Sequence, residues 1–461
     1  MALRFDITNF VATGTARTGV PLVAWEGAQQ RFATAHAALE RQHAAGTLGF
    51  LDLPANAAAL TQVEQFADAA SGRYRDVVVL GIGGSALGPL ALRTALRPSG
   101  WNALGTSARA GAPRLHVLDN VDPRTIGALL ASLDLRSTLF IVTSKSGGTA
   151  ETMAQFLVVR DRMVRLGLPL ARHLVFVTDP ARGALRAIAQ RDSIPTLDVP
   201  SNVGGRFSVL APVGTLPAAL VGIDVAAMLA GAGDMVQRCS TTELAKNPAG
   251  AFAVLQWLAD TTQGRHVQVL MPYRDALRDM AAWFVQLWAE SLGKVQPGGA
   301  SVGPTPVAAL GATDQHSQVQ LFMEGPQDKT VTFLTSASHE TDVTIPAGYG
   351  DIEELGYLAG HSLGELLDIE RLATAGALAK RGRPSGTIIL DQVDAWHVGA
   401  LFMFFEIATI YAGDLYGVNP LDQPGVELGK QYTFATLGRA GYDAARAEFD
   451  ALPKPDPRFL I

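Results

Sequence analysis

The sequence contains almost no cysteine, because Cys239 is the one cysteine among 461 residues. A single cysteine excludes a disulfide within the chain, and disulfides are the usual cross-links of small secreted domains. Their absence is typical of proteins in a reducing compartment. We therefore expect a cytoplasmic protein.

Charged residues are also scarce, at 17% of the chain, and the formal net charge is −6. Proteins that bind nucleic acid need a basic surface, so this composition argues against nucleic acid as a partner. The sequence also lacks runs of about 18 apolar residues, the length that spans a bilayer. We therefore expect no membrane-spanning segment.

Apolar residues are abundant, at 48% of the chain, together with 47 glycines and 25 prolines. This composition supplies large cores and is unlike that of disordered chains. The length suggests two or three domains. We place N-terminal helices and a first domain in 1–235, and a second domain with C-terminal helices in 236–461. The boundary follows Gly231-Ala-Gly-Asp, where the helical pattern loosens.

The stretch from Thr138 to Met153 carries the first functional signal. It begins with apolar or β-branched residues that suit a buried strand, and helical spacing resumes at Ala150. The polar residues of the loop between them are Ser144, Lys145, Ser146 and Thr149. Loop amides, hydroxyls and one lysine charge at a helix start predict an anion site. The order differs from a nucleotide P-loop, so we expect a phosphate monoester, with a generic strand-to-helix turn as the alternative.

A second loop, Gly81 to Ser85, follows the apolar run Asp76 to Leu80, which predicts a buried parallel strand. Its glycines, Gly84 among them, allow a ligand to approach the backbone closely. The loop matches a dinucleotide-binding pattern only in part, because Ala86 occupies the third glycine position and no acidic residue is placed for a ribose. A nicotinamide-dependent oxidoreductase is thus an alternative that the sequence disfavours.

Further short apolar runs alternate with helical segments along the chain, which predicts an α/β fold with doubly wound parallel sheets. The predicted strands include Leu115 to Leu118, Leu174 to Val177, Pro195 to Val199, Val267 to Met271, Lys329 to Thr335 and Thr387 to Asp391. Ligands of such sheets bind at the carboxyl ends of strands, near the switch in strand order. Both glycine-containing loops follow strands, so we expect them to face one crevice.

Two further residues have the chemistry of an active site. Arg206 follows a glycine pair and could stabilise a developing oxyanion, although a surface arginine fits the pattern equally well. Glu290 lies in the last turn of a predicted helix, where the helix dipole disfavours a carboxylate and so favours proton uptake. On helix rules alone, an exposed Glu290 paired with Lys294 four residues later is the better interpretation.

His316, Gln423 and Lys430 complete the set of candidates. His316 follows a Gly/Pro/Thr-rich segment predicted as a loop with helical turns, and the neighbouring Asp314 could hold its imidazole. Gln423 and Lys430 lie near a predicted helix start, close to one another. A surface position is the alternative for His316 and for Lys430. Histidines, cysteine and carboxylates show no metal-ligand spacing, so we expect no metal.

Together, these segments resemble the phosphoglucose isomerase family in its bacterial form, from about Asp76 to Lys430. The matching motifs, in family order, are G-I-G-G-S, S-K-S-G-G-T, G-G-R-F-S, E-S-L-G-K, D-Q-H-S-Q and N-P-L-D-Q-P-G-V-E-L-G-K. The resemblance implies two sugar-isomerase (SIS) domains, each a doubly wound parallel sheet, in a homodimer with shared active sites. It also implies interconversion of glucose 6-phosphate and fructose 6-phosphate, as in glycolysis and gluconeogenesis, without cofactor or metal.

The resemblance also implies a role for each candidate. Glu290 would transfer the proton between C2 and C1, and Arg206 would stabilise the cis-enediolate. His316, supplied by the neighbouring subunit, and Lys430 would assist ring opening. The implied phosphate ligands are Ser85, Ser144, Lys145, Ser146 and Thr149, and the implied substrate contacts are Gly84 and Gln423.

The chain departs from the family pattern in two places. Leu292 replaces the asparagine of E-S-N-G-K, and G-A-T-D replaces G-E-P-G-T-N-G before His316. Two alternatives stay open at this stage: an isomerase that also accepts mannose 6-phosphate, and a non-catalytic SIS protein that binds sugar phosphates. A binder needs only the loops, so the joint presence of Glu290, His316 and Lys430 argues against the second.

Overall fold

A computed structural model describes residues 3–12 and 19–461 of the chain. They form two five-stranded sheets and two small two-stranded ones, surrounded by helices. The strands are β1 (Leu3–Asp6), β2 (Val11–Ala12), β3 (Val20–Pro21), β4 (Asp76–Leu80), β5 (Arg114–Leu118), β6 (Thr138–Thr143), β7 (Leu174–Thr178), β8 (Thr196–Asp198), β9 (Val267–Pro272), β10 (Lys294–Val295), β11 (Ser301–Val302), β12 (Thr305–Ala308), β13 (Lys329–Ser336) and β14 (Ser385–Leu390). The α-helices are α1 (Leu22–Gly27), α2 (Gln29–Ala44), α3 (Ala57–Ala70), α4 (Gly84–Leu96), α5 (Pro123–Ser132), α6 (Ala150–Arg165), α7 (Leu170–His173), α8 (Ala184–Asp192), α9 (Pro212–Leu220), α10 (Val225–Arg238), α11 (Pro248–Gln263), α12 (Arg278–Leu292), α13 (Val319–Glu324), α14 (Glu353–Gly356), α15 (Leu363–Lys380), α16 (Ala395–Tyr416), α17 (Glu427–Thr436) and α18 (Asp443–Ala451).

The first sheet is wholly parallel and has the order β5-β4-β6-β7-β8. In chain order this is 2-1-3-4-5, a doubly wound arrangement whose switch point lies between its first and third strands, here β4 and β6. Every residue of β4, β6 and β7 is buried. Helices on both faces of the sheet explain why these strands are continuous apolar runs instead of alternating ones. The strands predicted here are confirmed, with ends that differ by a residue.

The second sheet has the order β1-β14-β13-β9-β12, and its strands are parallel except for β1, which pairs antiparallel with β14. The predicted α/β fold with doubly wound sheets is therefore confirmed, with an antiparallel edge strand in the second. Two strands of this sheet were missed. β1 lies in a region predicted as helical, and β12 lies in the segment predicted as a loop before His316. Both are short edge strands, which carry a weak sequence pattern.

The predicted domain boundary at 235/236 falls inside α10, where the helix is continuous. The glycines there have a packing role. A Cβ on Gly231 would lie 1.8 Å from the Trp396 carbonyl oxygen, and a Cβ on Gly399 would lie 1.9 Å from that of Met228. Glycine thus allows α10 and α16 to cross in direct backbone contact. The division into 1–235 and 236–461 itself stays a prediction.

α16 is the central helix of the core. It is long and apolar enough to cross a membrane by length and composition. Its apolar residues do not form one uninterrupted run, because His397, Glu406 and Asp414 lie among them. However, 94% of its most apolar window is buried inside the protein. It packs against α10, α11, α12 and α2, and burial on all sides explains why it is apolar all round.

Glu406 is an exception within this apolar helix. Its side chain is fully buried, and neither carboxyl oxygen has a hydrogen-bond partner among the described residues. Burial raises the pKa of Glu406 well above its ordinary value, so the folded chain favours the protonated form. The unfolded chain ionises near pH 4.3. The stability that depends on the neutral carboxyl is therefore fully present below that pH and decreases as the pH rises towards the folded-state pKa.

We expect Glu406→Leu to raise the free energy of unfolding at pH 7 by about 1–3 kcal/mol, because it removes an unsatisfied buried polar group. The gain should grow between pH 5 and pH 8. Urea denaturation at both pH values, at fixed protein concentration, measures it. Glu406→Gln is the control, because it keeps the volume and polarity but cannot ionise, so it should lose the pH dependence without the full gain. A Leu variant less stable than wild type at pH 8 would contradict the prediction.

Candidate active site

The hydroxyl loop, Ser144 to Thr149, follows β6 at the switch point of the first sheet. The Ser144 Oγ lies 2.9 Å from the Thr149 Oγ1 and 3.4 Å from the Ser146 Oγ. The Ser146 Oγ accepts a hydrogen bond from the Gly148 amide. Gly147 has φ = 64°, a left-handed conformation that lets the loop fold back so that α6 begins immediately after Thr149. The three hydroxyls thus converge at a helix N-terminus, as an anion site requires.

Lys145 is directed away from these hydroxyls. Its ammonium group donates to the Ser201 carbonyl at 2.8 Å. Burial lowers the pKa of Lys145, and the charge of Asp179 opposes the shift. The lysine therefore holds the hydroxyl loop against the segment that leads to Arg206, and its contribution to an anion site in this arrangement is its charge.

The glycine loop, Gly81 to Ser85, lies against the segment that carries Arg206. A Cβ on Gly84 would lie 2.3 Å from the Gly205 carbonyl oxygen, and one on Gly83 would lie 2.8 Å from the Gln286 Nε2. The contact at Gly84 is with backbone, so it is possible only without a side chain there, whereas at Gly83 the positive φ of 56° is what favours glycine. The glycine loop after β4 therefore joins the Arg206 turn to α12, the helix of Glu290.

Arg206 is buried, with 5% of its surface exposed, so the surface interpretation is wrong. It donates to the Ser291 Oγ at 2.7 Å, the Gln423 Oε1 at 3.1 Å and the Asp422 carbonyl at 2.9 Å. Its Nη1 lies 3.6 Å from the Glu290 Oε1. Burial lowers the pKa of Arg206, whereas the charges of Glu290 and Asp422 raise it.

Glu290 is partly exposed at the end of α12, and its Oε2 accepts a hydrogen bond from the Gln286 Nε2 at 3.1 Å. The expected pairing of Glu290 with Lys294 is not formed. Lys294 instead pairs with Asp422, 2.9 Å from its Oδ1. Sequence reasoning missed Gln286, although its position four residues before Glu290 puts both side chains on one helix face.

His316 is exposed at the end of a short 3₁₀ turn, Thr313–His316. The predicted pairing with Asp314 is not formed, because Asp314 accepts hydrogen bonds from the Leu310 amide and the Ser317 hydroxyl. Burial raises the pKa of Asp314, but these hydrogen bonds and the charge of Arg278 lower it more, so the pKa lies below its ordinary value. The hydroxyl of Tyr273, five residues before α12 begins, donates to the Gln315 Oε1 at 2.6 Å, so the turn contacts the segment that leads into α12, whereas Glu290 lies near the end of that helix.

Twelve residues separate Arg278 from Glu290 on α12, which is about 18 Å at 1.5 Å per residue. Within the described part of the chain, His316 has no hydrogen bond or ion pair with Glu290 or Arg206.

Gln423 and Lys430 have different surroundings. Gln423 is bonded to Arg206, but Lys430 is exposed on α17 and its Nζ lies 2.7 Å from the Glu427 Oε1. α17 packs chiefly against α18 and the short turn Pro424–Val426. The structure thus brings Gln423 to the site and leaves Lys430 on a projecting C-terminal arm, α17 and α18.

Over residues 3–12 and 19–461, no group of three His, Cys, Asp or Glu side chains has the geometry to hold a metal ion.

A cavity of about 1330 Å³ lies at the far end of α4, lined by Arg97, Trp101 and Asp279 among others. Because α4 begins at Gly84, this cavity is separated from the site by the length of the helix. None of the candidate site residues described above lines this cavity.

The phosphoglucose isomerase family profile matches residues 60–453 of the chain. A glucose-6-phosphate isomerase of Rubrobacter xylanophilus is 48% identical over 87% of this chain and 93% of its own length. One of Carboxydothermus hydrogenoformans is 42% identical over the whole of both chains. A solved structure of a hypothetical protein from Thermus thermophilus has a TM-score of 0.83 at 38% identity, covering 95% of this chain and 100% of that one. A glucose-6-phosphate isomerase from Chlamydia trachomatis shares the fold, with a TM-score of 0.73 at 24% identity over 85% of this chain and 76% of its own.

Proposed function

This chain belongs to the phosphoglucose isomerase family, and on that premise we propose that it interconverts D-glucose 6-phosphate and D-fructose 6-phosphate, a step of glycolysis and gluconeogenesis. The observation that carries the proposal is the approach of the Glu290 Oε1 to the Arg206 Nη1, at 3.6 Å. Aldose–ketose isomerisation requires a group that moves a proton and a group that receives developing negative charge. A carboxylate and a guanidinium supply these two functions.

The substrate phosphate binds the hydroxyl loop and the start of α6. Ser144, Ser146 and Thr149 donate their hydroxyls, Lys145 supplies positive charge, and Ser85 adds a hydroxyl from the neighbouring loop. The convergence of three hydroxyls within 3.5 Å of one another supports this assignment. Because the phosphate takes no part in the reaction, its binding energy serves to orient the sugar. Gly84 lines the path from the phosphate to Arg206.

Glu290 takes the proton from C2 of the open-chain aldose. The C2–H electron pair then forms the C1–C2 double bond, and the carbonyl oxygen O1 becomes negative. The two Nη2 hydrogens of Arg206 are donated to the Pro420 and Asp422 carbonyls, and one Nη1 hydrogen is donated to Gln423. The other Nη1 hydrogen stabilises the enediolate. The O2 hydroxyl passes its proton to O1, Glu290 returns its proton to C1, and the electrons left on O2 form the C2 carbonyl of the ketose. Gln286 orients the carboxylate throughout.

Ring opening needs a proton at the ring oxygen, and we assign this step to His316 with help from Lys430. Both are exposed, and among the described residues His316 has no hydrogen bond or ion pair with the Glu290 of its own chain, which supports active sites shared between two subunits of a homodimer. The C-terminal arm and the residues after it support the same assembly, because Leu437, Phe459 and Leu460 are exposed. Apolar side chains of this kind are typical of a surface that another chain covers.

We propose a cytoplasmic location and no requirement for metal or organic cofactor. The single cysteine, Cys239, is buried, and burial raises its pKa to about 12, so the thiol is protected from oxidation. The isomerisation moves a proton within one substrate and consumes no oxidant.

The test is conversion of fructose 6-phosphate in a dehydrogenase-coupled assay, with EDTA present and with mannose 6-phosphate as a second substrate. We expect rapid conversion that EDTA does not reduce, and much slower conversion of mannose 6-phosphate. Comparable rates on both would support the dual isomerase. A protein that binds sugar phosphate but releases no product would contradict the proposal and favour the non-catalytic alternative.

A further inference from the structure

The ammonium group of Lys294 is enclosed by oxygen atoms. Its side chain is 7% exposed, and its Nζ donates to the carbonyls of Ser291 at 3.1 Å, of Asp422 at 2.8 Å and of Asn419. The Asp422 Oδ1 is 2.9 Å away. Four oxygens thus compete for three N–H donors, which leaves Lys294 no donor for a substrate.

These oxygens belong to two separate parts of the chain. Ser291 directly follows Glu290, and its carbonyl is one of those left unpaired at the end of α12. Asn419 and Asp422 belong to the turn between α16 and α17, which we call the 419–423 turn. Lys294 therefore ties the end of the Glu290 helix to the turn that carries Gln423.

Arg206 holds the same turn from the other side, through the carbonyls of Pro420 and Asp422 and the side chain of Gln423. Within the turn, the Asn419 Nδ2 donates to the Asp422 Oδ2 at 2.9 Å. Two buried cations thus share one short turn, with Asp422 as the carboxylate closest to Lys294. Burying a charged lysine costs free energy that apolar packing would not, so the contacts of Lys294 are weak evidence for a role in stability alone.

We propose that Lys294 is a positioning residue of the isomerase. By joining the end of α12 to the 419–423 turn, it holds Glu290 and the Arg206–Gln423 pair at the separation that proton transfer requires. The inference rests on the proposed function and adds a residue that contacts no substrate. A displacement of about 1 Å between catalytic groups can cost on the order of 10²-fold in rate.

The experiment compares wild type, Lys294→Met and the control Lys246→Met. Lys246 is exposed and paired with Glu243 at 2.8 Å, so the control loses a lysine charge and an ion pair at the surface. We expect Lys294→Met to lower kcat by about 10–100-fold. KM should stay within about threefold of wild type, because the hydroxyl loop belongs to other elements. The control should keep both constants.

A kcat of Lys294→Met within threefold of wild type, or a loss confined to KM, would overturn the proposal. If Lys294→Met does not fold, Asp422→Asn is the second test of the proposal. It removes the carboxylate that pairs with Lys294 and leaves the main-chain carbonyls that the Lys294 ammonium group contacts. That variant should lower kcat several-fold at unchanged KM, and wild-type kcat would overturn the proposal. Inactive wild type would instead refute the proposed function, so the two failures are distinguishable.

Discussion

Glu290→Gln should lower kcat by about 10²–10⁴-fold, the range for loss of a general acid–base group. The amide has the shape of the carboxylate and can still lie beside Arg206 and Gln286, so sugar phosphate should still bind. It cannot accept the C2 proton, so isomerisation and exchange of that proton with solvent deuterium should fall together. The coupled assay measures the first, and NMR in D₂O measures the second.

The matched control is Glu243→Gln, which removes a carboxylate from the exposed pair with Lys246. It should leave kcat and the exchange rate unchanged. A Glu290→Gln variant with substantial activity would refute Glu290 as the base and leave the isomerase function intact. Loss of isomerisation with retained exchange would show that Glu290 acts after proton removal.

The local structure of the proposed phosphate-binding loop was predictable from sequence because all of its parts are local. β6, the hydroxyl loop and the first turn of α6 are consecutive, so a buried run, a Gly/Ser/Thr segment and helical spacing specify them together. The predicted crevice follows as well. The order 2-1-3-4-5 places β4 beside β6, and their loops then meet at the switch point.

The contacts of the proposed catalytic residues were not predictable from local pattern, because they join distant parts of the chain. Helix spacing predicts Glu290 with Lys294, but Lys294 is drawn to the 419–423 turn, more than a hundred residues away. An exposed i,i+4 pair contributes only about 0.3–0.5 kcal/mol, so several main-chain carbonyls readily outcompete it. Arg206 was ambiguous for the same reason, since four of its hydrogen bonds reach residues beyond 290.

Gly231 illustrates a different limit. Sequence reasoning treated its segment as a loosening between domains, since glycine destabilises helices by about 1 kcal/mol relative to alanine. The contact that requires glycine there, with the backbone of Trp396, involves another helix far along the chain. Local propensity cannot distinguish a glycine at a break from a glycine at a helix crossing.

Mixing two inactive variants should restore activity if the active sites are shared. In a homodimer of Glu290→Gln or of His316→Gln, every site lacks one group, and each should lose about 10²-fold or more. In a mixed dimer, one site combines both defects and the other combines intact Glu290 with intact His316. Random pairing makes half of the dimers mixed, so the co-expressed pair should reach about a quarter of wild-type activity.

The structure supports this expectation, because, in the part of the chain that it describes, His316 lies on an exposed turn and has no hydrogen bond or ion pair with the Glu290 of its own chain. Two affinity tags allow the mixed dimer to be isolated, and its activity should approach half of wild type. The control pairs Glu290→Gln with a chain carrying both substitutions, and no site then has Glu290, so activity should stay low. If the first mixture also stays low although mixed dimers are recovered, His316 acts within its own chain.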